Sequence, residues 1–151
     1  MRIYTIGFTK KSAEQFFELL RHSGAKRLVD VRLHNRSQLA GFTKKDDLPY
    51  FLRRLCDMDY IHLPELAPTP QLLNAYQKKA ITWSQYEREF RVLLNQRHIE
   101  QKLPKELIAD SCLLCSEPTA DRCHRRIVAE YLREKWGDIE IVHLPEKPEQ
   151  R

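Results

Sequence analysis

Apolar positions along the chain alternate between short continuous runs and stretches spaced three and four apart, the two periods of buried strands and amphipathic helices. "IYTIGF" (3–8) reads as a first strand and "SAEQFFELLRHSG" (12–24) as a helix capped by Ser12 and ended by Gly24. "KRLVDVR" (26–32) is a β-branched second strand. "DDLPYFLRRLCDM" (46–58) is a helix with Leu48, Phe51, Leu52 and Leu55 at helical spacing and Pro49 in its first turn. "YIHL" (60–63) is a third strand, and the Pro-rich "PELAPTP" (64–70) a loop. "QLLNAYQKKA" (71–80) and "TWSQYEREFRVLLNQR" (82–97) read as helices, the second capped by Thr82, with Trp83, Tyr86 and Phe90 marking its core face. A fourth strand "CLLC" (112–115), a helix "DRCHRRIVAEYLREKWG" (121–137) and a last strand "IEIVHL" (139–144) complete the pattern.

Strands separated by helices imply right-handed crossovers, so the expected fold is α/β. It is a mostly parallel five-stranded sheet with helices on both faces, a Rossmann-like three-layer arrangement. Residues 1–144 form one such domain, and residues 145–151 read as a flexible tail. Ligands of such sheets bind beyond the carboxyl ends of the strands. Those ends carry Gly7 and Thr9; Asp30, Arg32 and Arg36; His62 and Glu65; Cys115, Glu117, Cys123, His124 and Arg125; and His143. The groups most able to do chemistry therefore fall on one edge.

Composition narrows the classes. The 151 residues are 42% hydrophobic and 31% charged, which suits a folded globular chain rather than a disordered one. No apolar run approaches the roughly 20 residues of a membrane span, and the short apolar start is not a signal peptide. A cytoplasmic setting without membrane contact is expected, where structural disulfides are rare and the four cysteines act as core, ligand or reactive thiol. The net charge of +5 is uneven: residues 1–45 carry ten Lys or Arg against three acids. That basic third favours phosphate-bearing partners, with nucleic acid among them. The four glycines form no phosphate-binding loop, so classical nucleotide cofactors are disfavoured.

Two segments hold the candidate chemistry. Cys112 and Cys115 spell C-x-x-C, but residues three apart on a strand face opposite ways, so they do not form a metal knuckle, and Cys112 is expected in the core together with Cys56. Cys115 ends a strand and Cys123 opens the next helix, so both reach one mouth. A thiol in a helix's first turn beside His124, Arg125 and Arg126 is expected to ionise readily, with His124, His62 or His143 as proton partner and Glu117 orienting Arg125 or acting as a base. The same residues admit other roles. Cys115, Cys123, His62 and His143 are sufficient ligands for a single metal ion, and Cys123 is equally consistent with simple packing. The second segment runs from residue 30 to 45. There Asp30 is placed to fix Arg32, and Arg32, Arg36, Ser37 and Lys44 are placed to hold a phosphate. Tyr60 and Phe42 are available to stack on a ring.

The elements "TIGF", "LVDVR" followed by "RSQ", "YIHLPEL", "LLCSE", "CHRR" and "IVHL" resemble, in order, the pattern of the bacterial and archaeal proteins grouped as domain of unknown function 488. That pattern runs T-I-G-H-S, D-V-R-x-x-P-x-S, Y-x-H-x-x-x-L-G-G, C-x-E-x-x-x-x-x-C-H-R and a late H. Thr5, Ile6, Gly7, Asp30, Val31, Arg32, Ser37, Tyr60, His62, Cys115, Glu117, Cys123, His124, Arg125 and His143 match it. Phe8 and Thr9 replace the His-Ser pair, Asn35 the proline, and Ala67-Pro68 the Gly-Gly. The resemblance implies an α/β fold, an intracellular setting and a shared role for the edge residues. It implies no particular reaction. The leading expectation is a thiol site that binds an anionic, phosphate-bearing small ligand, with Cys123 as nucleophile or redox thiol, Arg32 and Arg125 holding the ligand, and Gly7, Thr9, Asp30, Arg36 and Ser37 lining it. A nucleic-acid-binding module and a Cys/His metal protein are the alternatives.

Overall fold

The computed structural model describes residues 1–34, 41–116, 120 and 122–145. Five strands, β1 (Arg2–Gly7), β2 (Arg27–Asp30), β3 (Asp59–His62), β4 (Ser111–Cys115) and β5 (Glu140–Leu144), form one wholly parallel sheet in the order β3-β2-β4-β1-β5. The chain crosses the sheet through α1 (Ala13–Ser23), α2 (Leu48–Cys56), α3 (Pro70–Gln77), α4 (Trp83–Gln96), the one-turn helices α5 (Ile99–Lys102) and α6 (Lys105–Ile108), and α7 (His124–Trp136). This is the three-layer α/β arrangement the sequence pattern implies. Among the described residues, no helix is long and apolar enough to cross a membrane.

β4 lies at the centre of the sheet and all five of its residues are buried. Its alternation divides the core. Cys112 and Leu114 join Tyr4, Ile6 and Leu28 against Phe16, Phe17 and Leu20 of α1 and Leu48 and Leu52 of α2. Leu113 and Cys115 join Ile3 and Val29 against Tyr86, Phe90 and Leu94 of α4 and Ile127, Val128 and Leu132 of α7. Cys112 and Cys115 thus face opposite layers, as strand periodicity requires.

Local chemistry accounts for where the elements start and stop. Ser12 accepts from the backbone N–H of Gln15 at 3.1 Å while the Gln15 side chain accepts from the backbone N–H of Ser12 at 2.9 Å; Thr82 and Gln85 repeat this capping box on α4. Gly24 ends α1 at φ 76°, a left-handed conformation that costs glycine little.

The structure moves several boundaries. β2 stops at Asp30 rather than Arg32, because the Asp30 carboxylate captures the backbone N–H of Arg32 at 3.1 Å and turns the chain. α7 begins at His124, so Cys123 is its N-cap, in extended backbone, rather than part of the first turn. Leu55 does not belong to the core face of α2: it is 49% exposed, while Leu48 and Leu52 are fully buried. The segment expected as a plain Pro-rich loop holds a 3-10 turn at Pro64–Leu66. The Arg97 guanidinium pins that turn by donating to the carbonyls of Glu65 (2.7 Å) and Ala67 (2.6 Å). α5 and α6 lack the length to show a period in sequence; they are held by buried Ile99 and Ile108.

Candidate functional site

The strand order brings the carboxyl ends of β2, β4 and β1 side by side, with Cys115 at the tip of the central strand and Gly7 as its partner in register. The loops beyond are stitched together. The backbone N–H of Thr9 donates to the Ser116 carbonyl at 3.0 Å, and the Thr9 hydroxyl donates to the same oxygen. The backbone N–H of Val31 donates to the Leu114 carbonyl at 3.0 Å.

Cys115 and Cys123 meet at this edge with their sulfurs in direct contact, both nearly fully buried. Both cysteines thus reach one mouth, as their places at a strand end and a helix start predict. As the N-cap of α7, Cys123 does not cap the helix through its sulfur, and its side chain is turned toward the end of β4 instead. His124, the first residue of α7, lies beside the pair. Its Nε2 is 2.6 Å from the Val31 carbonyl, and its Nδ1 is 3.6 Å from Cys115 Sγ. A carbonyl can only accept, so Nε2 carries the proton and Nδ1 turns its lone pair toward the sulfurs. Burial pushes the His124 pKa down to about 4, so the ring is neutral at physiological pH. Phe90 packs edge-on against this ring at 5.8 Å.

Behind the sulfurs the field is cationic. The fully buried Arg125 donates from Nε to the Thr5 hydroxyl at 3.1 Å and from Nη1 to Cys123 Sγ at 3.7 Å. Burial, and then the neighbouring Arg125, holds the Lys11 ammonium below its usual range. The Thr5 hydroxyl also lies within hydrogen-bond distance of His143 Nδ1, at 2.6 Å.

A cavity of ≈ 280 Å³ opens at this edge, with Cys115, Cys123 and His124 in its lining. Phe8, Arg32 and Arg122 contribute to the same wall, as do Tyr76, Trp83 and Tyr86 from α3 and α4. Those three rings form a cluster with centroids 5.0 to 5.4 Å apart, and the Arg126 guanidinium lies 5.9 Å from the Trp83 ring centre.

The candidate residues of the second segment are placed differently. The Arg32 side chain grips the fully buried Asp30 carboxylate twice, from Nε at 2.8 Å and Nη2 at 2.7 Å. Nη2 also donates to the Thr43 carbonyl at 2.7 Å, and the Tyr60 hydroxyl donates to Asp30 at 2.6 Å. Tyr60 is therefore engaged within the fold, and Phe42 packs on Phe16 and Phe17 rather than standing ready for a ligand. His62 donates from Nε2 to the Arg32 carbonyl at 2.7 Å. Arg36, Ser37 and Glu117 lie outside the described residues.

For a metal, the structure gathers a different set from the one expected. Cys115, Cys123 and His124 offer ligand atoms all within 4.8 Å of one another, whereas His62 and His143 do not join that cluster among the described residues. Sequence reasoning also missed the aromatic wall. Trp83 and Tyr86 were legible only as a core face, and Tyr76 reaches them from another helix.

The fold and its edge define a parallel three-layer α/β protein with a paired-cysteine and imidazole site beside a ligand-sized cavity. The chain belongs to the family described as domain of unknown function DUF488, which matches residues 12–132. No curated protein and no solved structure matches it.

Proposed function

We propose that the protein works through Cys115 and Cys123 as a redox-active pair exchanging with a small anionic thiol in the adjoining cavity. The observation that carries this reading is the direct contact of the two sulfurs in the lining of that cavity, with His124 Nδ1 against Cys115. A packing role needs neither sulfur-on-sulfur contact nor a cavity. In the forward direction a substrate thiolate attacks one sulfur, the other leaves as a thiolate, and a second substrate thiol resolves the mixed disulfide. The net change is protein disulfide plus two thiols to protein dithiol plus an external disulfide.

The environment supports an asymmetric dithiol once the pair is reduced. Arg125 Nη1 beside Cys123 favours a thiolate there, while His124 Nδ1 is an acceptor for the Cys115 S–H. Cys123 is then the nucleophile, Cys115 its resolving partner, and His124 an orienting acceptor rather than a strong base. Arg122 in the cavity lining favours an anionic ligand, and the aromatic wall favours one with apolar surface.

The test is equilibration of the whole protein in glutathione buffers of graded potential, acid quench, alkylation and mass mapping. Cys115 and Cys123 are expected to pass together between disulfide and dithiol with one midpoint, while Cys56 and Cys112 stay out of the transition. In Cys115→Ser, a mixed disulfide is expected to accumulate on Cys123. Independent labelling of the two cysteines in every buffer would refute the proposal.

A further inference from the structure

We infer that the reduced pair, together with His124, is an open zinc-class metal site whose fourth coordination position faces the cavity. This rests on the reading of Cys115 and Cys123 as a reversible pair, because only the dithiol form has sulfurs to offer.

The donor set is two thiols and one imidazole nitrogen within 4.8 Å, all in one cavity lining. Two cysteines and a histidine with one open position is a composition suited to tetrahedral zinc, and soft sulfur donors select against magnesium and calcium. Distances agree with that geometry. Bond lengths of roughly 2.3 Å to sulfur and 2.0 Å to nitrogen place neighbouring ligand atoms about 3.5 to 3.8 Å apart. Cys115 Sγ and His124 Nδ1 already stand 3.6 Å apart. On reduction, the two sulfurs need to separate to about 3.8 Å, and Cys123 Sγ, within 4.8 Å of the imidazole nitrogen, to settle at about 3.5 Å from it.

The imidazole is prepared for the role. Its Nε2–H is committed to the Val31 carbonyl at 2.6 Å, which holds the ring and leaves Nδ1 as the ligand atom. Such an outer hydrogen bond is what fixes the tautomer of most metal-binding histidines. Phe90 against the ring restricts its rotation further. Arg125 does not oppose the cation, because two thiolates neutralise a divalent ion, and its N–H toward Cys123 Sγ is a donor to a bound thiolate.

The binding step is Zn2+ plus two Cys–SH to the bis-thiolate complex plus two protons. Oxidation by an external disulfide reverses it: the complex, one disulfide and two protons give the cysteine disulfide, free Zn2+ and two thiols. Metal and disulfide therefore exclude each other, and the cavity exchanges a Lewis-acid wall for a disulfide wall with redox state.

The experiment titrates reduced, reductant-free whole protein with Co2+ under anaerobic conditions, followed by displacement with Zn2+. One equivalent is expected to bind with thiolate-to-cobalt charge transfer of two-sulfur intensity and tetrahedral d–d bands. Zn2+ should protect Cys115 and Cys123 from alkylation at least tenfold while leaving Cys56 unprotected, a readout on the wild-type chain that needs no variant. His124→Ala is expected to weaken binding at least tenfold, whereas His62→Ala and His143→Ala leave the spectrum unchanged. Absence of charge transfer at millimolar Co2+, or a spectrum that persists in the Cys115→Ser/Cys123→Ser protein, overturns the metal site. If the glutathione titration succeeds while cobalt fails, the redox reading stands and this inference falls. Cobalt binding by a pair that never forms a disulfide would retain the site and remove the redox exchange.

Discussion

Arg32 distinguishes a residue that builds the site's frame from one that holds a ligand, and its removal gives a number. The Asp30 carboxylate is fully buried and receives Arg32 Nε at 2.8 Å, Arg32 Nη2 at 2.7 Å, the Arg32 backbone N–H at 3.1 Å and the Tyr60 hydroxyl at 2.6 Å. In Arg32→Met the backbone and tyrosine donors remain, but the only cation in that set is gone. Removing one partner of a buried pair costs about 3 to 5 kcal/mol, and two surviving donors place this case near about 3 kcal/mol. Asp30→Asn leaves the guanidinium facing an amide, with a similar cost. Removing both charges abolishes the mismatch, so the double variant should lose about 3 kcal/mol rather than about 6, a coupling of about 3 kcal/mol. In urea, with a slope of about 2 kcal/mol per molar, each single variant shifts the midpoint down by about 1.5 M. Additive losses, or a single-variant loss below about 1 kcal/mol, would refute the structural assignment and return Arg32 to ligand binding.

Three further outcomes are expected. In the oxidised protein, burial pushes His124 from 6.5 to about 4, so the unfolded chain takes up its proton first. Its contribution is therefore fully present above the unfolded value and is lost as pH falls toward the folded one, by about 3 kcal/mol in total. His124→Gln should flatten that part of the stability profile between pH 7 and pH 4, and identical slopes for the two proteins would contradict it. Phe90 is fully buried and touches both Tyr86 and His124. Phe90→Ala should thus cost about 3 to 5 kcal/mol in urea unfolding. Finally, burial raises the thiol pKa of both Cys112 and Cys56, completely enclosed in the first case and partial in the second. Native alkylation should label Cys56 slowly and Cys112 only at the rate of global unfolding; rapid labelling of Cys112 would show that β4 opens locally.

The parts of this molecule legible in its sequence are those governed by a period. Strand alternation assigned Cys112 and Cys115 to opposite faces, and the strand-helix rhythm implied a parallel sheet whose carboxyl ends collect Cys115, Asp30 and Gly7. What stayed hidden depends on contacts between distant segments. Whether Arg32 serves a ligand or Asp30 turns on the Thr43 carbonyl, eleven residues away, which enlists the same Nη2. Which histidine accompanies the sulfurs turns on a single residue of helix start. With Cys123 as the cap, His124 becomes the first helical residue, and the Val31 carbonyl at the end of β2 selects its tautomer. His62 and His143, equally eligible by strand-end position, are engaged elsewhere, at the Arg32 carbonyl and the Thr5 hydroxyl. A strand-end rule therefore locates an edge but cannot rank the histidines along it. Ranking requires the acceptor on the far side of each ring, and in this fold the Val31 carbonyl is what directs the His124 lone pair toward Cys115 and Cys123.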